Sequence, residues 1–116
     1  MALTLTLIPG SDSTAYAYDG DTKSKLSSAS FELDLGAYVT DGVPTAPADV
    51  TSAINGTCSA ISAIIFHGPS RDGVHWASYN ASTAKILSWT ASGTQTANGT
   101  PLGTDDKLLY CTIKFS

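Results

Sequence analysis

Charge is what this chain has least of. Only 14% of its 116 residues are Asp, Glu, Lys or Arg, about half the usual share near 25%. Six Lys and Arg against ten Asp and Glu leave a formal net charge of −4. So few cations, scattered along the chain, make no track for a nucleic-acid backbone, which needs several phosphates neutralised together. Long apolar runs are missing too, and none approaches the ~18 residues that cross a bilayer as a helix. Met1 to Gly10 alternates Leu with Thr and holds no Lys or Arg, unlike the basic start of a secretory signal. No P-loop, Gly-rich dinucleotide fingerprint or His-Glu-x-x-His motif occurs. Neither nucleic acid, membrane nor cofactor is expected as a partner.

Cysteine is scarce as well. Cys58 and Cys111 stand far apart, with no Cys-x-x-Cys spacing for metal or redox work. They read as two small buried apolar side chains. The alternative is a disulfide, which needs their α-carbons within about 7 Å.

What the chain has in quantity is small and hydroxylated: Ser, Thr and Ala number fifteen each. Hydroxyls rather than ions must solvate the surface. The hydrophobic period is 2 almost throughout, the period of a strand with one face buried. Leu3, Leu5 and Leu7 alternate with Thr4 and Thr6 before Pro9-Gly10. Tyr16 and Tyr18 alternate with Ala15 and Ala17, and Asp19 to Lys23 reads as a turn. From Ala29 to Val39 the alternation is long. Ala29, Phe31, Leu33, Leu35, Ala37 and Val39 share one face; Ser30, Glu32, Asp34, Gly36 and Tyr38 share the other. Pro47 followed by Val50, Ala53 and Ile54 at helical spacing predicts one or two turns of helix over Ala48 to Ile54, ended at Asn55-Gly56. Cys58 to His67 is apolar on both faces and reads as a central strand. Val74 to Tyr79 and Ala84 to Thr90 flank a four-residue hairpin connection, Asn80 to Thr83. Ala91 to Asp106 is a long polar loop. In the last strand, Lys107 to Phe115, residues Leu109, Cys111, Ile113 and Phe115 face in, while Leu108, Tyr110, Thr112 and Lys114 face out.

Seven or eight strands separated by turns, with no helix long enough for a parallel crossover, predict an all-β chain. Residues 1–116 form a single β domain, an antiparallel sandwich (jelly-roll-like) or barrel with one short helical segment. Phe31, Leu33, Leu35, Ile61, Ile65, Ile113 and Phe115 are the expected core. Apolar Leu108 and Tyr110 on the outward face of the last strand call for cover, from another sheet of the chain or from another subunit.

Candidate chemistry is thin. His67, His75 and Asp72 match no standard metal-ligand spacing, and both histidines are expected to be solvated. Gly68-Pro69-Ser70-Arg71-Asp72 begins like Gly-x-Ser-x-Gly but ends in Asp and sits on no strand-to-helix elbow. Asp19/Asp21 and Asp105/Asp106 lie in turns and lack the ligand count of a calcium loop. Asn55, Asn80 and Asn98 begin glycosylation-type triplets that read better as turns. Trp76, Trp89, Tyr79, Tyr16, Tyr18 and Tyr38 can form either a sugar-stacking face or cross-strand pairs over a core. No catalytic, cofactor-binding or metal residue is assigned, and the chain is not expected to be an enzyme.

Five segments carry a resemblance. Phe31-Glu-Leu-Asp-Leu-Gly36 resembles the long early strand of small virion proteins of tailed bacteriophages, especially marine and cyanobacterial ones. Val43-Pro-Thr-Ala-Pro-Ala-Asp-Val50 is similar to their Val-Thr-Ala-Ala-Asp-Leu segment. Ile61-Ser-Ala-Ile-Ile-Phe-His-Gly68 is similar to their Ile-Asp-Ala-Val-Ile-Phe-x-Gly strand. Tyr79 to Leu87 resembles a Tyr-x-x-Ala-x-x-Lys-Leu hairpin, and Gly93 to Thr100 a Gly-Thr-Glu-Val-Ala-Asn-Gly-Thr loop. Order and spacing agree from about residue 29 to 116; the first 28 residues, both cysteines and Trp89 lie outside the pattern. The resemblance implies a structural role on the virion, as a capsid decoration (cement) protein made in the host cytoplasm and carried on the capsid surface. It implies the major capsid protein as partner. It also implies self-association, with a trimer slightly favoured because decoration proteins often sit at local threefold positions. The alternative is a carbohydrate-binding or host-adhesion module of a tail or fibre. The N-terminal Leu-Thr repeat belongs either to the chain's own sheet or to the sheet edge of a neighbouring subunit.

Overall fold

The computed structural model describes residues 3–20, 22–54 and 56–116, with positions 15, 17–19 and 22–24 described by backbone alone. Among these residues eight strands and one α-helix follow in the order β1 (Thr4–Leu7), β2 (Ser13–Asp19), β3 (Thr22–Asp34), β4 (Val43–Pro44), α1 (Pro47–Ala53), β5 (Ile61–Phe66), β6 (His75–Asn80), β7 (Lys85–Thr90) and β8 (Leu109–Phe115). A short 3-10 turn, Asp105–Lys107, precedes β8. All pairings are antiparallel. One sheet has the order β1-β3-β8-β5, with β2 joined to β3; the other has the order β4-β7-β6. The chain is an all-β sandwich with one short helix.

The two sheets share one core. Phe31 and Leu33 of β3, Cys111 and Ile113 of β8, and Ile86 of β7 are closed off from solvent, joined by Val43, Val50, Leu35 and Leu102. The period-2 pattern of β8 is obeyed in full: Leu109, Cys111, Ile113 and Phe115 are buried. Leu3 and Leu5 are buried too, and β1 pairs with β3 from Thr4↔Asp34 to Leu7↔Phe31. The first strand therefore belongs to its own sheet. Helix α1 begins at Pro47, where the missing N–H costs nothing. Asp49 Oδ2 accepts the Ala46 N–H at 2.8 Å, and Val50 is its buried residue.

Three expectations fail, each for a local reason. First, the Ala29–Val39 alternation does not run through. Gly36 takes φ +65°, and the residues beyond it change sides: Ala37 and Val39 are exposed and Tyr38 is buried. Tyr38 turns inward because its hydroxyl finds partners there. It donates to Gln95 Oε1 at 3.1 Å and accepts the Ser88 N–H at 3.2 Å. Its backbone is strapped down by Tyr38 N–H to Thr100 O, 2.9 Å, and Gly99 N–H to Tyr38 O, 2.7 Å.

Second, Ile65 is 45% exposed and Ile64 takes its place inside. The β5–β8 register slips between Ile61 and Ala63; such a bulge adds one residue and moves every later side chain to the opposite face. Ile61 is half-buried, and Phe31, Leu33, Leu35, Ile113 and Phe115 are buried as expected. Third, β5 lies at the edge of its sheet, not at the centre. Its outer face is not buried between two strands: Ile65, opposite Thr112, is exposed.

One element exceeds its sequence signal. β3 begins at Thr22, well before the apolar alternation, and pairs with β2 from Ser13↔Ser28 to Asp19↔Thr22. β8 stops at Ser27↔Phe115. Beyond that point β2 and β3 continue as a two-stranded arm, and the molecule measures 48 × 29 × 24 Å.

Candidate functional site

The loop between β5 and β6 carries His67, Ser70, Arg71 and Asp72, and the fold fastens it down. Arg71 N–H bonds to Leu108 O at 3.1 Å and Asp72 N–H to Asp106 O at 2.9 Å. Ser70 is buried; its hydroxyl donates to Asp72 Oδ1 at 2.6 Å and accepts the His75 N–H at 3.1 Å. Neither imidazole hydrogen-bonds the Ser70 hydroxyl: the His75 ring shares a hydrogen bond with Thr96 (3.2 Å) and the His67 ring with Thr112 (2.7 Å). A nucleophile needs a base on its hydroxyl, and here that hydroxyl organises a turn instead. The expectation that both histidines are solvated holds for His67 and fails for His75. His75 is buried in a polar chain that continues from Thr96 to Ser88 at 2.8 Å. Among the described residues no three His, Cys, Asp or Glu side chains group as a metal site.

Around that loop lies a charge cluster that sequence spacing does not reveal. Arg71 reaches Glu32 of β3 at 2.6 Å and Asp105 of the 3-10 turn at 2.7 Å. It also donates to the Tyr110 hydroxyl at 2.7 Å and lies 5.4 Å from the Tyr110 ring centre. Lys107 pairs with Asp72. The Lys107 ammonium and the Ser70 hydroxyl hold the Asp72 carboxyl well below the usual carboxylate range. Tyr110 is thus covered from within the chain, so it no longer calls for a second subunit. Asp105 faces Arg71 and Asp106 accepts from Thr104 at 2.7 Å; they do not converge on one point. Residues 32, 71, 105 and 110 are too far apart for any motif to bring them together on paper.

The outer face of the large sheet continues this pattern with hydroxyls. Ser13 bonds Ser28 (3.1 Å), Ser30 bonds Thr112 (2.9 Å), and Thr112 bonds His67. This is a surface whose polar groups satisfy one another.

The small sheet presents something different. Trp76 and Trp89 stand directly opposite on β6 and β7, as do Ser78 and Leu87. Directly opposed residues share a face, and this one points outward: Trp76 is 45% exposed, while Ile86 and Ser88 of the alternate set are buried. The Trp89 indole N–H reaches Ser78 Oγ at 3.4 Å. Among the described residues, the aromatics that could form a sugar-stacking face do not assemble. Tyr38 and Tyr79 pack on the core side, Tyr16 lies on the arm and is 52% exposed, and the Tyr18 side chain lies outside the described residues. Trp76 and Trp89 remain as a cross-strand pair.

The other candidates resolve as structure. Asn80 Oδ1 accepts the Ser82 N–H and Asn98 Oδ1 the Thr40 N–H, both at 3.0 Å. Asn55, Asp21 and the side chain of Asp19 lie outside the described residues. Cys58 and Cys111 are buried free thiols; burial raises both pKa values, that of Cys111 to about 12. No helix among the described residues is long and apolar enough to cross a membrane. Set beside protein-family models, curated proteins and solved structures, the chain matches none.

Proposed function

We propose that this chain is a non-enzymatic structural protein of a tailed-bacteriophage virion, a capsid decoration protein that binds the outer capsid surface and stabilises the shell. Its partners in this reading are the major capsid protein and other copies of itself. It is made in the host cytoplasm and ends on the capsid surface. One observation carries the reading. The five segments that resemble small phage virion proteins fall on the elements that build the body: the inner end of β3, β4 with α1, β5, the β6–β7 hairpin, and the 93–100 strap over Tyr38. The resemblance thus spans both core strands and exposed turns of the body, and leaves out the arm. A face of mutually bonded hydroxyls and ion pairs on the large sheet also suits a protein whose task is contact rather than chemistry.

Co-sedimentation with empty capsids tests it. The expected result is saturable binding at a fixed ratio to capsid subunits, with a raised dissociation temperature of the shell. Protein that stays in the supernatant at all concentrations overturns the reading. A second reading, a carbohydrate-binding or adhesion module, draws on the outward Trp76–Trp89 pair, of which Trp76 is exposed and Trp89 half-buried. Glycan-array binding lost in Trp76→Ala, without any capsid binding, would favour it.

A further inference from the structure

The arm has two edges of different chemistry: on the β3 edge Lys25 Nζ donates to Thr57 O at 3.2 Å, and the β2 edge pairs with no further strand among the described residues. On one side, β3 runs past the end of β8, so Thr22 to Leu26 have no β8 neighbour. That stretch holds Lys23 and Lys25. A second copy pairing there about Ser24 would set position 23 opposite position 25, lysine against lysine on both sides of the axis. Lysines on a strand edge are a usual guard against such pairing.

The other side is β2, which among the described residues pairs only with β3. Its seven residues, Ser-Thr-Ala-Tyr-Ala-Tyr-Asp, contain no Lys, Arg, Pro or Gly. Other sheet edges carry some protection. β1 is four residues long, is followed by Pro9 and has α1 beside it; β4 is two residues ending in Pro44; β5 is bulged; β6 lies near β5. Among the described edges β2 is the long, regular one, with no lysine, proline or bulge along it.

The β2 sequence is also self-complementary. An antiparallel pairing of two copies about Tyr16 sets position 15 opposite 17, 14 opposite 18 and 13 opposite 19. Ala meets Ala, Thr meets Tyr, Ser meets Asp, and no like charges face each other. We infer that β2 is a self-association edge, along which two copies of this chain pair antiparallel about a twofold axis at Tyr16. The product is a four-stranded ribbon, β3-β2-β2-β3, joining two bodies, with the lysine-bearing edges outermost. A two-stranded hairpin is marginal in water, and the pairing widens it to four strands. This deepens the self-association part of the proposed function and sets a twofold pair in place of the implied trimer.

Sedimentation equilibrium over a micromolar-to-millimolar range tests it. The wild type should pass from 12.0 kDa to twice that mass. Tyr16→Lys puts lysine against lysine on the axis and should raise the dissociation constant roughly tenfold. Position 16 is solvent-exposed, and circular dichroism checks that the variant is folded. Ser13→Lys, set twice against Asp19 of the other copy, should tighten the dimer roughly threefold, and Ser13→Glu should weaken it by a similar factor. A monomer at every concentration, a trimer, or a dimer indifferent to all three substitutions overturns the inference. A dimer that ignores empty capsids upholds it and sinks the decoration reading; a monomer that saturates capsids does the reverse.

Discussion

The two halves of β3 are one continuous strand with two different reasons to exist. From Ala29 to Asp34 it lies between β1 and β8, and Ala29, Phe31 and Leu33 are wholly buried. From Thr22 to Ser28 it pairs with β2, reads Thr-Lys-Ser-Lys-Leu-Ser-Ser, and carries a Leu26 that is 55% exposed. The inner half is held by apolar burial at roughly 25 cal/mol per Å². The outer half is held by its ladder and by hydroxyl pairs such as Thr14 with Ser27 at 3.0 Å. Backbone pairing carries a strand beyond its core, but it does not make that extension stable by itself.

The sharpest way to break this comparison is to place the same charge in each half. Leu33→Asp puts a carboxylate where no partner exists, at a cost of several kcal/mol against a total stability of about 5–15. Soluble folded protein should be lost. Leu26→Asp should stay within about 1 kcal/mol of wild type, as surface changes do. Equal denaturation midpoints for the two would show that the halves do not differ in kind.

The next test concerns the bulge in β5. Ile64→Ala removes a buried side chain and should cost about 2–4 kcal/mol, while Ile65→Ala, on the exposed side, should cost under about 1. Chemical denaturation of both decides it, and the reverse order would return β5 to an unbroken two-residue period.

Tyr38→Phe should cost about 1–3 kcal/mol, because the Ser88 N–H loses its acceptor in a buried place. The variant should fold and melt lower. No change would mean that the ring alone, not its hydroxyl, draws residue 38 inward.

The smallest effect belongs to the ion pair of Asp72 with Lys107. The folded protein holds the Asp72 carboxyl below its ordinary value. A depressed carboxylate stabilises above its unfolded pKa, about 3.9, and that contribution fades as pH falls below it. Asp72→Asn should therefore melt lower than wild type at neutral pH, and the gap should close on acidification below about pH 4. A gap constant from neutral to acid pH would mean that Asp72 acts only as an acceptor for Ser70 and Val74.

The sequence by itself determined the class of fold and most of its core. Alternation with period 2 survives any tertiary context in which one face is buried, so β1, the inner half of β3 and β8 were legible residue by residue, and β7 as a strand without its faces. Pro47 and the i, i+3, i+4 spacing behind it likewise placed the only α-helix of the described residues. Tertiary structure decided the points where alternation breaks. Whether Gly36 reverses the phase depends on whether Ser88 and Gln95 wait beneath Tyr38, and they come from segments 50 or more residues away. The β5 bulge depends on its register against β8. The Arg71 cluster draws on four segments of the chain, none with a signal of its own. The arm is the clearest case: Lys23 to Ser28 carries no strand signal in its hydrophobic pattern, and is a strand because β2 lies beside it. Local sequence specifies which face of a strand seeks the core; only long-range pairing specifies how far the strand runs and where it changes phase.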